Sequence, residues 1–222
     1  MSTVPYAFGL TWLVVVTTKA GAETAQTTTD PTSEAAPGFS LGSIRSGQEG
    51  FIQGLGPAVH TLSLESGATD GLRILGSRQE HDLGLVSIAY GRMLGGVEGD
   101  GRWYRGNWEI RAEVFGGEEF SPSSDWLIGV TPHLRYNFAT GTRIIPFVDL
   151  GAGVTATGIG SPDLSGTFEF NLQANIGLHY FIRNNLALTF EAGYLHISCA
   201  GMHCPNLGLN TVKGMVGVTW FF

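Results

Sequence analysis

The stretch FEFNLQANIGLHY, residues 168–180, alternates apolar and polar side chains along its whole length. Phe168 begins an apolar face that continues at every second residue to Tyr180, whereas Glu169 begins a polar face that carries Asn, Gln, Gly and His. Alternation with a period of two is typical of a β-strand whose two faces meet different surroundings. The stretch exceeds the five or six residues common in soluble sheets, and a membrane-spanning strand needs about 9–11 residues.

The same pattern recurs along most of the chain, and residues 126–138 repeat it clearly. Connections after the second, fourth and sixth predicted strands are mostly short and those after the odd strands mostly longer, which is the habit of outer-membrane barrels. The chain ends in Trp220, Phe221 and Phe222, and a terminal Phe resembles the last strand of bacterial outer-membrane proteins. The alternation predicts eight strands, at about 58–67, 82–94, 105–115, 125–139, 143–155, 167–182, 185–198 and 209–222.

Composition and charge narrow the classes of protein to which the chain can belong. Charged residues make up 14% of the 222 positions, below the roughly 25% of average soluble domains, while glycine occurs 33 times and aromatic residues reach 11%. The formal net charge of −7 and the lack of a basic cluster give no support for nucleic-acid binding. Beyond the N-terminus no stretch approaches about 20 consecutive apolar residues, the length of a transmembrane helix.

The N-terminal part of the sequence predicts export. Residues 1–22 contain an apolar core followed by an Ala-Gly-Ala cleavage site, which is the form of a signal peptide. Residues 23–57 are rich in Thr, Pro and Ala near their start and are predicted to be a flexible leader. The barrel is then expected over residues 58–222.

The polar face of the predicted strands indicates which side of the barrel meets lipid, because it is poor in lysine and carries charges of both signs. Such a set suits a small lumen filled by ion pairs and hydrogen bonds, so the apolar face is expected to point to the membrane. We therefore predict an all-β, eight-stranded antiparallel transmembrane β-barrel of the bacterial outer membrane. The alternative is a secreted soluble β-barrel that carries a small hydrophobic ligand. The charged residues of the polar face are Glu109, Arg111, Glu113, Arg135, Asp149, Glu169, Glu191 and Lys213.

The seventh strand places two reactive side chains on the apolar face. Leu186 and Tyr194 lie on that face, and continuing by twos brings His196 and Ser198 to it near the outer end of the strand. If the last hairpin pairs residue 196 with Asn210, their Cβ atoms are about 5 Å apart. A serine beside a histidine pairs a nucleophile with a general base and suggests ester cleavage at a membrane. The alternative is that these polar residues belong to the girdle where any barrel meets the lipid headgroups.

The C-terminal motif resembles that of the lipid A 3-O-deacylases, a family of eight-stranded barrels in Gram-negative outer membranes. The resemblance is carried by YLHIS at residues 194–198, by the following Pro-Asn pair and Gly208, and more loosely by upstream segments such as VTPHLRYNFATG and IIPFVDLGAGV. It implies that His196 is the general base and Ser198 the nucleophile that release the acyl chain at the 3-position of lipid A. It also implies that Asn206 helps to hold the oxyanion, and it implies no metal or organic cofactor.

Two positions depart from the family pattern. Asn210 stands where the acid of the triad, a glutamate, is expected, and Cys199 follows the serine where an Asn is usual. An amide can orient a catalytic imidazole but cannot balance its positive charge. The first departure therefore favours an alternative function, a non-catalytic small barrel of the same fold with a structural or binding role.

The two cysteines lie close together in the last loop. Cys199 and Cys204 belong to a chain predicted to be exported, and we predict a disulfide that pins the loop beside the site. A zinc site formed by these cysteines with His196 and His203 is disfavoured, because the spacing matches no common zinc pattern and zinc would occupy the general base. The sequence leaves open whether the barrel forms a homodimer.

Overall fold

A computed structural model describes residues 55–202 and 206–222, in which eight antiparallel strands close into one barrel. The predicted signal peptide, residues 1–22, and the predicted leader up to residue 54 lie outside the described residues. The strands are β1 (His60–Gly71), β2 (Asp82–Met93), β3 (Gly106–Ser121), β4 (Trp126–Phe138), β5 (Ile144–Thr157), β6 (Phe168–Arg183), β7 (Leu186–Ser198) and β8 (Leu209–Phe221).

The observed strands follow the predicted ones, with two extensions. β3 continues to Ser121 and β1 to Gly71, beyond the predicted ends at residues 115 and 67. Glycines in these segments hide the alternation in the sequence. Gly67 lies so close to β8 that a Cβ there would be 1.9 Å from the carbonyl oxygen of Gly214. The strand therefore continues through a place where two backbones come into close contact.

Each strand pairs with its neighbours in sequence, and β1 also pairs with β8, from Thr61 opposite Phe221 to Gly71 opposite Thr211. This closure gives the backbone groups of both terminal strands hydrogen-bond partners, as a structure surrounded by lipid requires. Among the described residues no helix has the length and apolarity needed to cross a membrane.

The outer wall of the barrel is apolar. Leu64, on β1, is 59% exposed, and the outward positions of the other strands carry mostly Leu, Ile, Val and aromatic residues. The apolar face of the alternation thus forms the outside, as predicted, and aromatic side chains gather toward both rims like the girdles of outer-membrane barrels. They include Trp108, Tyr136 and Trp220 at the rim near the C-terminus and Phe120, Trp126 and Phe168 at the opposite rim.

The interior of the barrel is filled by side chains. Arg135 lies 2.8 Å from both Asp149 and Glu191, and Lys213 lies 3.0 Å from Glu191. All eight charged residues predicted for the polar face are buried inside, and apolar clusters close both ends of the lumen. The clusters are Leu83, Leu85, Phe115, Leu127, Ile159, Leu164, Leu195, Ile197, Leu209 and Met215 at one end and Leu55, Met93, Ala139, Ile145, Phe181, Ala187 and Phe221 at the other.

Four loops lie at the end of the barrel opposite the C-terminus, which we call the loop end. They are loop 1 (72–81), loop 2 (122–125), loop 3 (158–167) and loop 4 (199–208), of which residues 203–205 lie outside the described part of the chain. Ile159 and Leu164 of loop 3 belong to the apolar cluster of the loop end, so loop 3 folds into the mouth of the barrel.

Candidate active site

The last hairpin brings the three predicted catalytic residues together. His196 on β7 lies directly opposite Asn210 on β8, so the last hairpin has the register that brings these two residues together, and Ser198 is the last residue of β7. His196 and Ser198 are half-buried on the outer wall, whereas Asn210 is only 1% exposed. The alternation of β7 therefore directs both reactive side chains outward, next to the rim at the loop end.

A continuous chain of hydrogen bonds links these side chains. Nε2 of His196 lies 2.9 Å from Oγ of Ser198, and Nδ1 of the same ring lies 2.8 Å from Oδ1 of Asn210. Both distances are those of ordinary hydrogen bonds. The predicted nucleophile, the predicted base and the residue predicted to orient it stand in the order that serine hydrolases use.

The side-chain amide of Asn210 is oriented by a second contact. Its Nδ2 donates to the carbonyl oxygen of Ile74, in loop 1, at 3.0 Å. A carbonyl only accepts hydrogen bonds, so this contact assigns the amide nitrogen to Ile74 and the amide oxygen to His196. Because Oδ1 also only accepts, Nδ1 of His196 carries the proton, and Nε2 presents its lone pair to Ser198. The neutral ring is thus held in the tautomer that a general base needs.

Tyr194 joins the same chain of hydrogen bonds. Its hydroxyl donates to Oδ1 of Asn210, so that one oxygen accepts from both Tyr194 and His196. The sequence placed Tyr194 on the outward face but gave it no part in the site. Its position two residues before His196, on the same face of the strand, is the signal that could have revealed the contact. No feature of the sequence indicates the contact between Ile74 and Asn210, because loop 1 is distant from β8 in the sequence.

Loop 4 packs against the imidazole through Gly208. This residue has a φ of 79°, a left-handed conformation that favours glycine. A Cβ added to it would lie 2.9 Å from Cε1 of His196, closer than two such carbons can approach without a shift. The glycine of the C-terminal motif therefore gives the histidine ring its space.

Asn206, the predicted oxyanion residue, turns its amide nitrogen toward loop 3. Nδ2 donates to the two carboxylate oxygens of Glu169, at 3.0 and 3.1 Å, and to Oγ of Ser165 at 3.2 Å. Among the described residues its Oδ1 is buried without a hydrogen-bond partner. These contacts tie loop 4 to loop 3 and leave Asn206 outside the chain formed by Ser198 and His196. Its role toward an oxyanion stays a prediction.

The acidic residues inside the barrel do not take the place of Asn210. Glu191, also on β7, points into the lumen and pairs with Arg135 and Lys213. Asp149 lies inside as well, where it contacts His133 and Arg135. Both are on the opposite side of the wall from the reactive pair, as their positions in the alternation predict.

Cys199 is buried directly after Ser198, the predicted nucleophile. Its predicted disulfide partner, Cys204, lies outside the described residues, as does His203, so the disulfide stays a prediction. Within residues 55–202 and 206–222, no group of three or more His, Cys, Asp or Glu side chains is arranged to hold a metal ion.

The closed antiparallel barrel, with its apolar wall and charged interior, belongs to the class of outer-membrane β-barrels. The family model for lipid A 3-O-deacylase (PagL) matches residues 86–219, and the chain belongs to this family. Membership confirms the predicted family and the predicted location in the bacterial outer membrane. The eight-stranded barrel expected from the alternation is likewise confirmed.

Three solved structures illustrate what the chain is similar to. The outer membrane enzyme PagL is 20% identical, with 71% of this chain and 97% of that chain covered and a TM-score of 0.49. Neisserial surface protein A is 14% identical, with 73% and 97% covered and a TM-score of 0.49. The N-terminal barrel domain of Pseudomonas aeruginosa OprF is 16% identical, with 73% and 97% covered and a TM-score of 0.42. A search of curated proteins finds no match.

Proposed function

We propose that the protein hydrolyses the acyl ester at the 3-position of lipid A, with Ser198 as nucleophile and His196 as general base. Asn210 orients the imidazole. The observation that carries the proposal is the hydrogen-bond chain from Ser198 through His196 to Asn210 on the outer wall. Family membership supplies the substrate class, since the family is that of the lipid A 3-O-deacylases.

The position of the reactive pair suits a substrate that lies in the membrane. Three of the four loops at the loop end have ten residues, whereas the connections at the other end have twelve, five and two. Since the longer loops of an outer-membrane barrel mostly face the cell exterior, we assign the loop end to the outer leaflet, in which lipid A is the expected substrate. Leu172, which lies opposite His196 on β6 and is 54% exposed, continues the apolar wall beside the pair. An acyl chain can lie along this wall while its ester group reaches Ser198.

The reaction follows from the order of the hydrogen bonds. Nε2 of His196 takes the proton of Ser198 as Oγ attacks the ester carbonyl and forms a tetrahedral intermediate. The imidazolium gives that proton to the leaving oxygen of the sugar, and the acyl group stays on Ser198. A water molecule, deprotonated by the same ring, then releases the fatty acid and restores the serine. Oδ1 of Asn210 accepts from Nδ1 throughout and keeps the ring in place.

We retain Asn206 as the proposed donor to the oxyanion. Its Nδ2 is held by Glu169 and Ser165 in this structure, so the role requires the amide to turn from Glu169 toward Ser198. Catalytic hydrogen bonds often form fully only in the complex with the reacting substrate. Oδ1 of Asn206 has no hydrogen-bond partner within the described part of the chain, so the present orientation leaves that polar atom unsatisfied there.

A second function is favoured by one observation, the asparagine at the position of the expected glutamate. Without the carboxylate, no negative charge stabilises the imidazolium that forms during acylation. A non-catalytic barrel of the same fold, with a structural or binding role, accounts for that replacement. The retained hydrogen bond between Ser198 and His196 favours the enzyme, because a purely structural barrel has no need of it.

Mass spectrometry of lipid A distinguishes the two functions. The protein and its Ser198→Ala variant are expressed in a Gram-negative host whose lipid A keeps all its acyl chains. We expect the loss of one hydroxyacyl chain with the wild type and an unchanged spectrum with the variant. Gel mobility before and after heating verifies that both barrels are folded. A folded wild-type barrel that leaves lipid A unchanged contradicts the deacylase and supports the non-catalytic function.

A further inference from the structure

We infer that Asp163, in loop 3, is a positioning residue that holds His196 and Asn210 in their hydrogen-bonded arrangement. The inference rests on the proposed function, because it concerns how the same site is kept in order. Asp163 acts through loops 1 and 4, each of which contacts one of these two residues. We call Asp163, His81 and Glu119 the loop latch.

The packing of loop 3 fixes the position of Asp163. The residue is fully buried, and its neighbours Ile159 and Leu164 are buried in the apolar cluster at the loop end. The amide of Leu164 also donates to the carbonyl oxygen of Gly160 at 3.1 Å. Apolar anchors on both sides of Asp163 restrict the loop, because lifting it would expose them to water.

The carboxylate of Asp163 fixes loop 1. Oδ1 accepts from the backbone amide of Arg78 at 2.9 Å, and Oδ2 accepts from that of Gln79 at 2.8 Å. Oδ2 also lies 3.0 Å from Nε2 of His81, whose Nδ1 contacts the carboxylate of Glu119 on β3. A buried carboxylate is costly unless such donors surround it. The two backbone amides of loop 1 are therefore held where the carboxylate needs them.

Loop 1 passes this constraint to Asn210. Ser77, which directly precedes the two residues bound by Asp163, donates its backbone amide to the carbonyl oxygen of Ile74 at 3.1 Å. The same carbonyl oxygen accepts from Nδ2 of Asn210 at 3.0 Å. The position of loop 1 thus decides which way the amide of Asn210 faces, and with it which nitrogen of His196 carries the proton.

The backbone of Asp163 fixes loop 4. Its carbonyl oxygen accepts from the amides of Leu207 and Gly208, both at 2.9 Å. Gly208 is the residue whose α-carbon packs against the ring of His196. A single residue of loop 3 therefore holds loop 1 with its side chain and loop 4 with its main chain, and the two loops contact opposite ends of the pair formed by Asn210 and His196.

The variant Asp163→Asn separates positioning from folding. It keeps the shape of the side chain, but only one of its two terminal atoms accepts, so one of the backbone donors of loop 1 faces an NH₂ group. We expect kcat to fall about 10- to 100-fold, since small misplacements of catalytic groups have effects of that order. We expect KM to stay within about twofold, because the apolar wall that contacts the lipid is unchanged.

Two further variants accompany this one. Glu80→Gln is the matched control, since Glu80 lies in loop 1 and pairs with Arg73 at 3.1 Å on the protein surface, where both side chains are more than half exposed. It should leave kcat unchanged. Glu119→Gln removes the charge behind His81 while sparing the bonds from Asp163 to the backbone, and it should lower kcat by less than Asp163→Asn does.

The experiment measures deacylation of lipid A in detergent micelles together with hydrogen exchange of the backbone amides of residues 206–210. Three results support the inference. A folded Asp163→Asn barrel loses kcat and exchanges these amides faster, Glu119→Gln shows a smaller effect of the same kind, and Glu80→Gln shows no effect. Wild-type kcat in Asp163→Asn overturns the inference, and so does an equal loss in Glu80→Gln. If Asp163→Asn fails to fold, Glu119→Gln decides by the same two readouts.

Failure of the proposed function gives a different result. In that case the wild type and Ser198→Ala both leave lipid A intact. The exchange measurement needs no turnover, so it still tests the latch. Equal protection of residues 206–210 in the wild type and in Asp163→Asn overturns it, whereas faster exchange in the variant supports the latch as the element that orders the loops over His196.

Discussion

Oδ1 of Asn210 lies 2.8 Å from Nδ1 of His196, while Nδ2 of the same amide donates to the carbonyl of Ile74. In a serine protease, replacing the orienting aspartate by asparagine costs about 10⁴ in rate, because the amide favours the wrong tautomer of the histidine. Here the carbonyl of Ile74 opposes that orientation, since a turned amide would set two acceptors against each other. The asparagine thus keeps the orienting part of the carboxylate's role and lacks only its charge.

The first prediction restores that charge. Asn210→Asp keeps the shape of the side chain, and a hydrogen bond to an ionised acceptor is worth about 1 kcal/mol more than one to a neutral acceptor. We therefore expect kcat/KM for lipid A to rise by up to about fivefold, since the lost donor to the Ile74 carbonyl offsets part of the gain. The initial rate of release of the hydroxyacyl chain in detergent micelles gives the answer. Asn210→Leu, which cannot accept from His196, should be slower than the wild type.

The Asn210→Asp substitution also replaces the donor to the Ile74 carbonyl by an acceptor, so the discriminating comparison is with Asn210→Leu, which lacks both contacts. An Asn210→Asp variant no faster than Asn210→Leu would contradict the assignment of Oδ1 to His196. Asn210→Glu introduces the residue expected from the family pattern. It tests whether a longer carboxylate can also contact the imidazole of His196. Glutamate is one methylene longer, so its carboxylate meets the ring only if β7 and β8 separate slightly. We expect it to gain activity over the wild type as well.

The second prediction concerns Tyr194. Removing its hydroxyl in Tyr194→Phe deletes one of the two donors to Oδ1 of Asn210 and leaves that amide held by Ile74 and His196 alone. A neutral hydrogen bond contributes about 0.5–1.5 kcal/mol, so we expect kcat to fall about three- to tenfold. Tyr180→Phe, at an outward position near the other rim, is the control. A rise in KM with unchanged kcat would assign Tyr194 to lipid contact instead.

The third prediction tests the contact between Gly208 and the imidazole. Gly208→Ala places a methyl group 2.9 Å from Cε1 of His196 and should lower kcat more than tenfold, because the ring must move away from Ser198. Gly141→Ala is a matched control, since Gly141 has a similar φ of 74° but open space around its α-carbon. Both variants should lose about 1 kcal/mol of stability from the left-handed backbone. Only Gly208→Ala should lose activity; equal activities would remove the contact from the site.

The alternation of side chains was enough to predict the barrel. Because successive residues of a strand point to opposite sides, the sequence assigned the strands of residues 168–180 and 126–138 to a wall with an apolar outside, and the structure agrees. The same rule put His196 and Asn210 on the same face of the wall, since a one-residue slip would have turned the polar lumen side chains outward. That the two residues lie directly opposite each other is a property of the folded hairpin. Strand ends were less predictable where glycines interrupt the pattern, as in β1 and β3.

The contacts between the loops could not be predicted from the alternation. No periodicity relates Asp163 to the amides of Arg78 and Gln79, or Ile74 to Asn210, because these contacts depend on how loop 3 folds into the mouth of the barrel. The contacts of Asn206 could not be predicted from the sequence either. The family resemblance gave it a role at the oxyanion, and only the folded loops reveal that its amide is engaged by Glu169.

The fourth prediction concerns the ion pairs inside the barrel. Arg135 contacts Asp149 and Glu191 and stacks on the ring of Phe147, with the guanidinium carbon 3.6 Å from the ring centroid. Arg135→Met should lower the free energy of unfolding by up to about 3–5 kcal/mol, because it takes one charge partner from each of two buried carboxylates and leaves Glu191 to Lys213 and Asp149 to His133. Adding Glu191→Gln should recover part of the loss. Urea unfolding in lipid vesicles, followed by tryptophan fluorescence, measures the stability of both variants. A double variant whose loss of stability exceeds the sum of the two single losses contradicts the pairing.

The fifth prediction concerns pH and the loop latch. Burial raises the pKa of Asp163, but hydrogen bonds from the Arg78 amide, His81 and the Gln79 amide outweigh burial and hold the pKa below its ordinary value. A depressed pKa means that the ionised carboxylate stabilises the closed loops fully above the ordinary pKa of aspartate, about 3.9, and that this stability is lost as the pH falls through the lower value. Protection of residues 206–210 against hydrogen exchange, corrected for intrinsic rates, should therefore persist at pH 5 and disappear only below pH 4. Asp163→Asn should show no such transition. Loss of protection in the wild type already above pH 5 would contradict the role given to Asp163.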